Sequence, residues 1–224
     1  MNFHSPLLQT NLRFLEISDT LGINKGVAEI LDDMAVLSDE KNRLDESKFR
    51  ATALWTHNRL LSLPPPPPST SNSSNHTPNA PPPAVDYVYE SCRIVALMYS
   101  YAIVSRSPLS KSSTEAQMAE LWSKMWRVPL SKWKALPGVF LWIVLVACPC
   151  ARDKVQARFL KRMLATIAMY VGVLGSEMAM WSFKEFLRLQ NWIARGGGEQ
   201  ADRQEVAQRG SSLDGDRMSG NSVV

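Results

Sequence analysis

Between residues 27 and 37 the apolar side chains fall at Val27, Ile30, Leu31, Met34 and Leu37, a spacing that puts all five on one helical face. A second helix is predicted over Leu44 to Leu63, where Leu54, Asn58 and Leu61 share a face with Leu60 beside them. The proline run from Pro64 stops it, because proline has no amide donor and disfavours α conformation in the residue before it. Val85 to Ser105 predicts a long helix ended near Pro108; from Ile94 to Val104 it is apolar on almost every side, which predicts a central place. Thr114 with Gln117 makes a capping box for a helix carrying Met118, Leu121, Trp122 and Met125 on one side. Pro137 suits the first position of a helix through Cys148. Asp153 is placed to cap the next, whose Leu160, Leu164, Ile167, Val171 and Leu174 form a stripe. Ser176 can start a last helix bearing Phe183, Phe186, Leu187 and Trp192, with its stop before the glycines at 196–198. No two-residue alternation and no Asn-Gly or Asp-Gly hairpin between β-branched runs supports a strand. The expected class is all-α: an irregular bundle of about seven helices.

Composition divides the chain into four stretches. Residues 1–63 form an N-terminal helical part with seven basic and nine acidic residues. Residues 64–84, PPPPPSTSNSSNHTPNAPPPA, hold no charge and no large apolar side chain, which predicts a disordered or polyproline-like linker. Residues 85–195 carry 15 basic and 7 acidic residues and nearly all the long apolar runs, as befits the main helical core. Residues 196–224 have few large hydrophobes and read as a disordered tail.

The apolar run Val139 to Ala147 is about half of the roughly 20 residues a spanning helix needs. Met163 to Leu174 is also short, and Lys161, Arg162 and Glu177 flank it. Both are expected as buried core helices, with no membrane segment. The opening MNFHSPLLQT has neither a basic nor an apolar leader region, so a reducing interior is expected.

Little chemistry is signalled. His4, His57 and His76 each lie more than a helical turn from any other His or Cys, and Cys148-Pro149-Cys150 lacks the second pair of a structural zinc site. No metal ligand or cofactor is predicted, and Cys92, Cys148 and Cys150 read as small buried hydrophobes. Asp32-Asp33 resembles the start of an aspartate-rich magnesium motif, but the acidic fifth position is Val36; a solvated helix face is expected instead. No nucleophile elbow and no phosphate loop occurs, so no catalytic residue is assigned. Lys154, Arg158, Lys161 and Arg162, extended by Arg152, form a basic strip opposite the apolar stripe of their helix. Such a strip can contact phosphates, but nothing beside it is placed to read bases. Trp122, Trp126, Trp133 and Trp142 crowd the second half, as core or as the lining of a ligand cavity.

Three segments carry a resemblance. Tyr89-Glu90-Ser91-Cys92-Arg93-Ile94-Val95 is similar to a helix in the regulatory domain of fungal zinc-cluster transcription factors. Leu136-Pro137-Gly138-Val139-Phe140-Leu141-Trp142 resembles that domain's Leu-Pro, Leu-Trp helix, and Phe186-Leu187-Arg188-Leu189-Gln190-Asn191-Trp192 its closing helix. Order and spacing agree over roughly Asn24 to Ala194.

The resemblance implies a nuclear, non-enzymatic helical domain that modulates transcription through protein partners or a small-molecule effector. In that family it follows a DNA reader of six cysteines around two zinc ions; this chain has three cysteines, all inside the regulatory region. Sequence-specific DNA binding by this chain alone is therefore not expected. The expected partners are a full-length factor or a second copy. Glu90 and Arg93, placed at an exposed end of the third helix, and the strip Arg152, Lys154, Arg158, Lys161 and Arg162 are the candidate contacts. The alternative is a small-molecule-binding or catalytic helical protein using the Trp-rich middle.

Overall fold

The computed structural model describes residues 3–8, 12–39, 44–64, 85–152 and 154–215, with side chains as far as residue 196. Among them lie eight α-helices and no strand: α1 Phe14–Leu21, α2 Lys25–Ser38, α3 Glu46–Ser62, α4 Tyr87–Ser105, α5 Glu115–Arg127, α6 Leu130–Ala135, α7 Pro137–Cys150 and α8 Ala157–Gly215. A short 3₁₀ turn, Leu109–Lys111, joins α4 to α5. The class read from the sequence is the class found. The proline-rich stretch from residue 65 to 84 and the proposed Asp153 cap lie outside the described residues.

α4 stands at the centre and packs against α2, α3, α5 and α7. Its apolar residues are buried on nearly all sides, as the run from Ile94 predicts. Asp86 caps it, accepting from the amides of Val88 at 2.9 Å and Tyr89 at 3.1 Å. α2 buries the predicted face, Val27 to Leu37, and Asn24 caps it by accepting from Val27 N at 2.7 Å. The Thr114–Gln117 capping box opens α5, and Pro137 leads α7. α7 is buried almost throughout, which explains why it shows no amphipathic pattern. Its Trp142 is fully buried and meets Tyr99 of α4 edge to face, with centroids 6.4 Å apart.

Four sequence expectations change. In α3, Leu54 and Leu61 face solvent, while Phe49, Ala53, Thr56 and Leu60 turn inward. Phe49 anchors that face against Trp192 at 5.2 Å, a contact too distant in sequence for local periodicity to show. Asp32 and Asp33 are not a solvated pair. Asp32 accepts from the first amides of α1, Phe14 N at 2.7 Å and Leu15 N at 3.2 Å, and Asp33 pairs with Arg59 at 2.6 Å. Glu90 is buried, only 7% exposed, and Arg93 is half-buried, because α4 is covered by neighbours there. α8 does not stop before the glycine triplet: its backbone continues through Gly196 to Gly215.

α8 breaks at Gly175, where the backbone is extended at φ 178°, ψ 91°, immediately before the Ser176 start read from the sequence. The first half buries Leu160, Ile167 and Val171; the second buries Ala179, Ser182, Phe186, Leu189 and Ile193. Both spacings are helical and α8 packs mainly against α7. By length and composition the Ala157–Gly196 stretch holds an 18-residue window apolar enough to cross a membrane, with mean hydropathy 1.5 and 17% of that window buried. The sequence reading ended this segment at Leu174, one residue before the break at Gly175. The low burial reflects outward-facing Met169, Val173, Met178, Met180 and Trp181.

Candidate functional site

The loop after α5 turns at Val128-Pro129 and starts α6, and side chains of α5, α6, α7 and the first half of α8 surround one space. The space between them is a groove of about 660 Å³, within the size range of drug-sized ligand sites. Met125, Trp133, Phe140 and Ile167 form its buried floor. Trp133 stacks on Phe140 with centroids 4.8 Å apart, and its indole N–H donates to Met125 O at 3.3 Å. The buried polar handle is thereby satisfied inside the protein and the ring faces are left to the groove.

Trp122, Trp126 and Phe159 build the rim. Trp122 meets Trp126 edge to face at 5.3 Å and Phe159 at 5.8 Å. Trp126 is 63% exposed and Phe159 53%, a large cost in apolar hydration for rings that the fold does not need to bury. Two cations line the same groove, Lys134 of α6 and Arg162 of α8. No Asp, Glu, His, Cys or Ser lines it. The hydroxyl groups in its walls are those of Thr166 and Tyr170, and the largely apolar, aromatic surface is suited to hold an apolar body.

Three of the four tryptophans singled out from the sequence gather at this groove, and the fourth, Trp142, is core. Phe140, Phe159 and Tyr170 were missed. Phe159, Arg162, Thr166 and Tyr170 follow a three- and four-residue spacing on α8, a second stripe beside the core stripe, and that signal was available. The basic strip splits into three roles. Lys154 donates to Ser113 O, Ser113 Oγ and Thr114 O at 3.1–3.3 Å, tying the start of α8 to the start of α5. Arg162 reaches the groove, and Arg152, Arg158 and Lys161 are exposed.

The fold brings together one pair that sequence distance hides. His57 Nδ1 lies 2.9 Å from Ser100 Oγ. The Ser100 hydroxyl donates to Ala96 O at 2.8 Å, so its proton is committed to α4 and its oxygen receives the imidazole N–H. That is the geometry of a bond between α3 and α4, with the proton pointing the wrong way for an activated nucleophile. The cysteines are similarly quiet: burial pushes all three thiols up, and Cys150 donates to Leu109 O at 3.0 Å. Among the described residues no cluster of three or more His, Cys, Asp or Glu could hold a metal ion.

No curated protein and no solved structure matches the chain. The family model for the fungal specific transcription factor domain matches residues 1–183, a span that takes in α1 to α7, the aromatic groove and the Gly175 break. With most of its length matched and an all-helical fold among the described residues, the chain belongs to the family of fungal specific transcription factor domains.

Proposed function

We propose that this chain is a non-enzymatic, nuclear regulator of transcription whose aromatic groove takes a small-molecule effector. Membership of the family supports the regulatory role. The observation that carries the finer reading is the groove itself: exposed aromatic rings around a buried aromatic floor, with no carboxylate, imidazole or thiol among the described residues of the lining. The test is a reporter driven by a heterologous DNA-binding module fused to the full chain. Output that differs from the module alone, and that shifts in Trp126→Ala, supports the reading. Output identical to the module alone overturns it.

A protein partner on the outward side of α8 is a second reading, favoured by the exposed Met169, Val173, Met180 and Trp181. Arg152, Arg158 and Lys161 stand exposed on and before the first turns of the same helix and would meet an acidic partner there. Glu90 and Arg93, buried and half-buried in α4, are set back from that surface.

A further inference from the structure

We propose that the effector of the groove is a flat aromatic acid: an apolar ring system held among the tryptophans, with one carboxylate at the mouth. This rests on the groove being a ligand site, as proposed above. The charge pattern fixes the class. Lys134 and Arg162 come from two different helices and line one cavity that has no carboxylate in its walls. Neither has an acidic partner among the described residues, whereas Arg59, Arg106 and Arg188 are each ion-paired to glutamate or aspartate. A cationic ligand would meet two like charges here. A neutral one would leave both heads solvated and gain nothing from them. An anion is attracted by both and accepts charge-assisted hydrogen bonds from guanidinium and ammonium.

The walls fix the body. Stacked Trp133 and Phe140 below, with Trp122 and Trp126 edge to face and Phe159 tilted against Trp122 at the rim, offer both ring faces and ring edges. Ring faces carry negative charge, so the anionic head turns away from them towards the cations.

The test is a fluorescence titration of the full chain with 1-pyrenebutyrate and the neutral 1-pyrenebutanol, which share one ring system and differ in the head. The acid is expected to bind about fivefold or more tightly than the alcohol, in keeping with screened cations at a groove mouth. In the double variant Lys134→Gln/Arg162→Gln, both positions being exposed, that ratio falls to unity. Trp126→Ala weakens both ligands together. Equal binding of acid and alcohol to the unaltered chain overturns the charge assignment and leaves the groove reading standing. So does a ratio that survives the double variant. If neither pyrene compound binds, the groove reading falls with it.

Discussion

Asn24 Nδ2 donates to Asp86 Oδ2 at 2.6 Å, joining the residue that caps α2 to the residue that caps α4 across 62 positions of sequence. Each side chain serves twice. The amide oxygen of Asn24 holds Val27 N while its nitrogen reaches Asp86, whose other oxygen receives Val88 N and Tyr89 N. Asn24→Ala removes a cap and the bridge together and is expected to cost about 1–2 kcal/mol. Asp86→Ala is expected to cost at least as much, since two amides lose their acceptor. A double-mutant cycle read by urea denaturation should give a coupling of about 0.5 kcal/mol or more. Strict additivity would show that the caps act separately.

Gly196 packs against the side chain of Arg106. Arg106, in left-handed conformation at φ 48° where α4 ends, lies over the Trp192 ring at 4.4 Å and pairs with Glu46. A Cβ on residue 196 would run into the Arg106 side chain. Gly196→Ala is therefore expected to lower the melting temperature by several degrees, on the order of 1–3 kcal/mol for an overpacked site. Adding Arg106→Ala should recover part of that loss in the G196A background. Gly138 gives the contrast: its Cβ would meet the backbone carbonyl of His4, which no side-chain trimming can relieve. Thermal melts of Gly196→Ala, Gly196→Ala/Arg106→Ala, Gly138→Ala and Gly138→Ala/Arg106→Ala separate the two situations, with recovery expected only at residue 196.

His57 makes stability depend on pH. Burial pushes its pKa below the ordinary histidine value, so folding favours the neutral ring. Its contribution is complete above about pH 6.5 and is lost as pH falls through the lowered folded value. His57→Gln, which can keep a hydrogen bond to Ser100, should lose less stability than the unaltered chain between pH 7 and 5. Urea midpoints measured across that range decide it; parallel curves would mean the imidazole is not coupled to folding.

The three thiols should label in a fixed order. Cys148 is the half-exposed one, while Cys92 and Cys150 are buried and all three are pushed towards the protonated form. Iodoacetamide added to the folded chain at neutral pH is expected to reach Cys148 first and Cys92 only on unfolding. Mass spectrometry of the peptides reads the order directly. Early labelling of Cys92 would contradict the central burial of α4.

What the sequence made legible is what local spacing controls. The inward face of α2, the Thr114 box, Pro137 at the head of α7 and the restart at Ser176 all depend on residues within a turn or two of one another. What it hid depends on partners far along the chain. α1 is eight residues long and has its first amides satisfied by Asp32, so it has little periodicity of its own to announce it. Residue 196 reads as a helix stop because glycine usually is one; here the absence of a Cβ makes room for Arg106 instead. The groove was half visible. Trp122, Trp126 and Trp133 stood out as a cluster, but only the packing of α5 and α6 against α8 separates them from Trp142.

The central position of α4 has a consequence for how the chain can be divided. Helices before and after the proline-rich stretch bury their side chains in one shared cluster, with Met34, Phe49 and Leu60 on one side and Met98, Ile103 and Trp142 on the other. Neither portion closes its own interior. A single cut in the chain between residues 64 and 85 would leave every one of these contacts in place. The two pieces would then elute together, and would part only in denaturant.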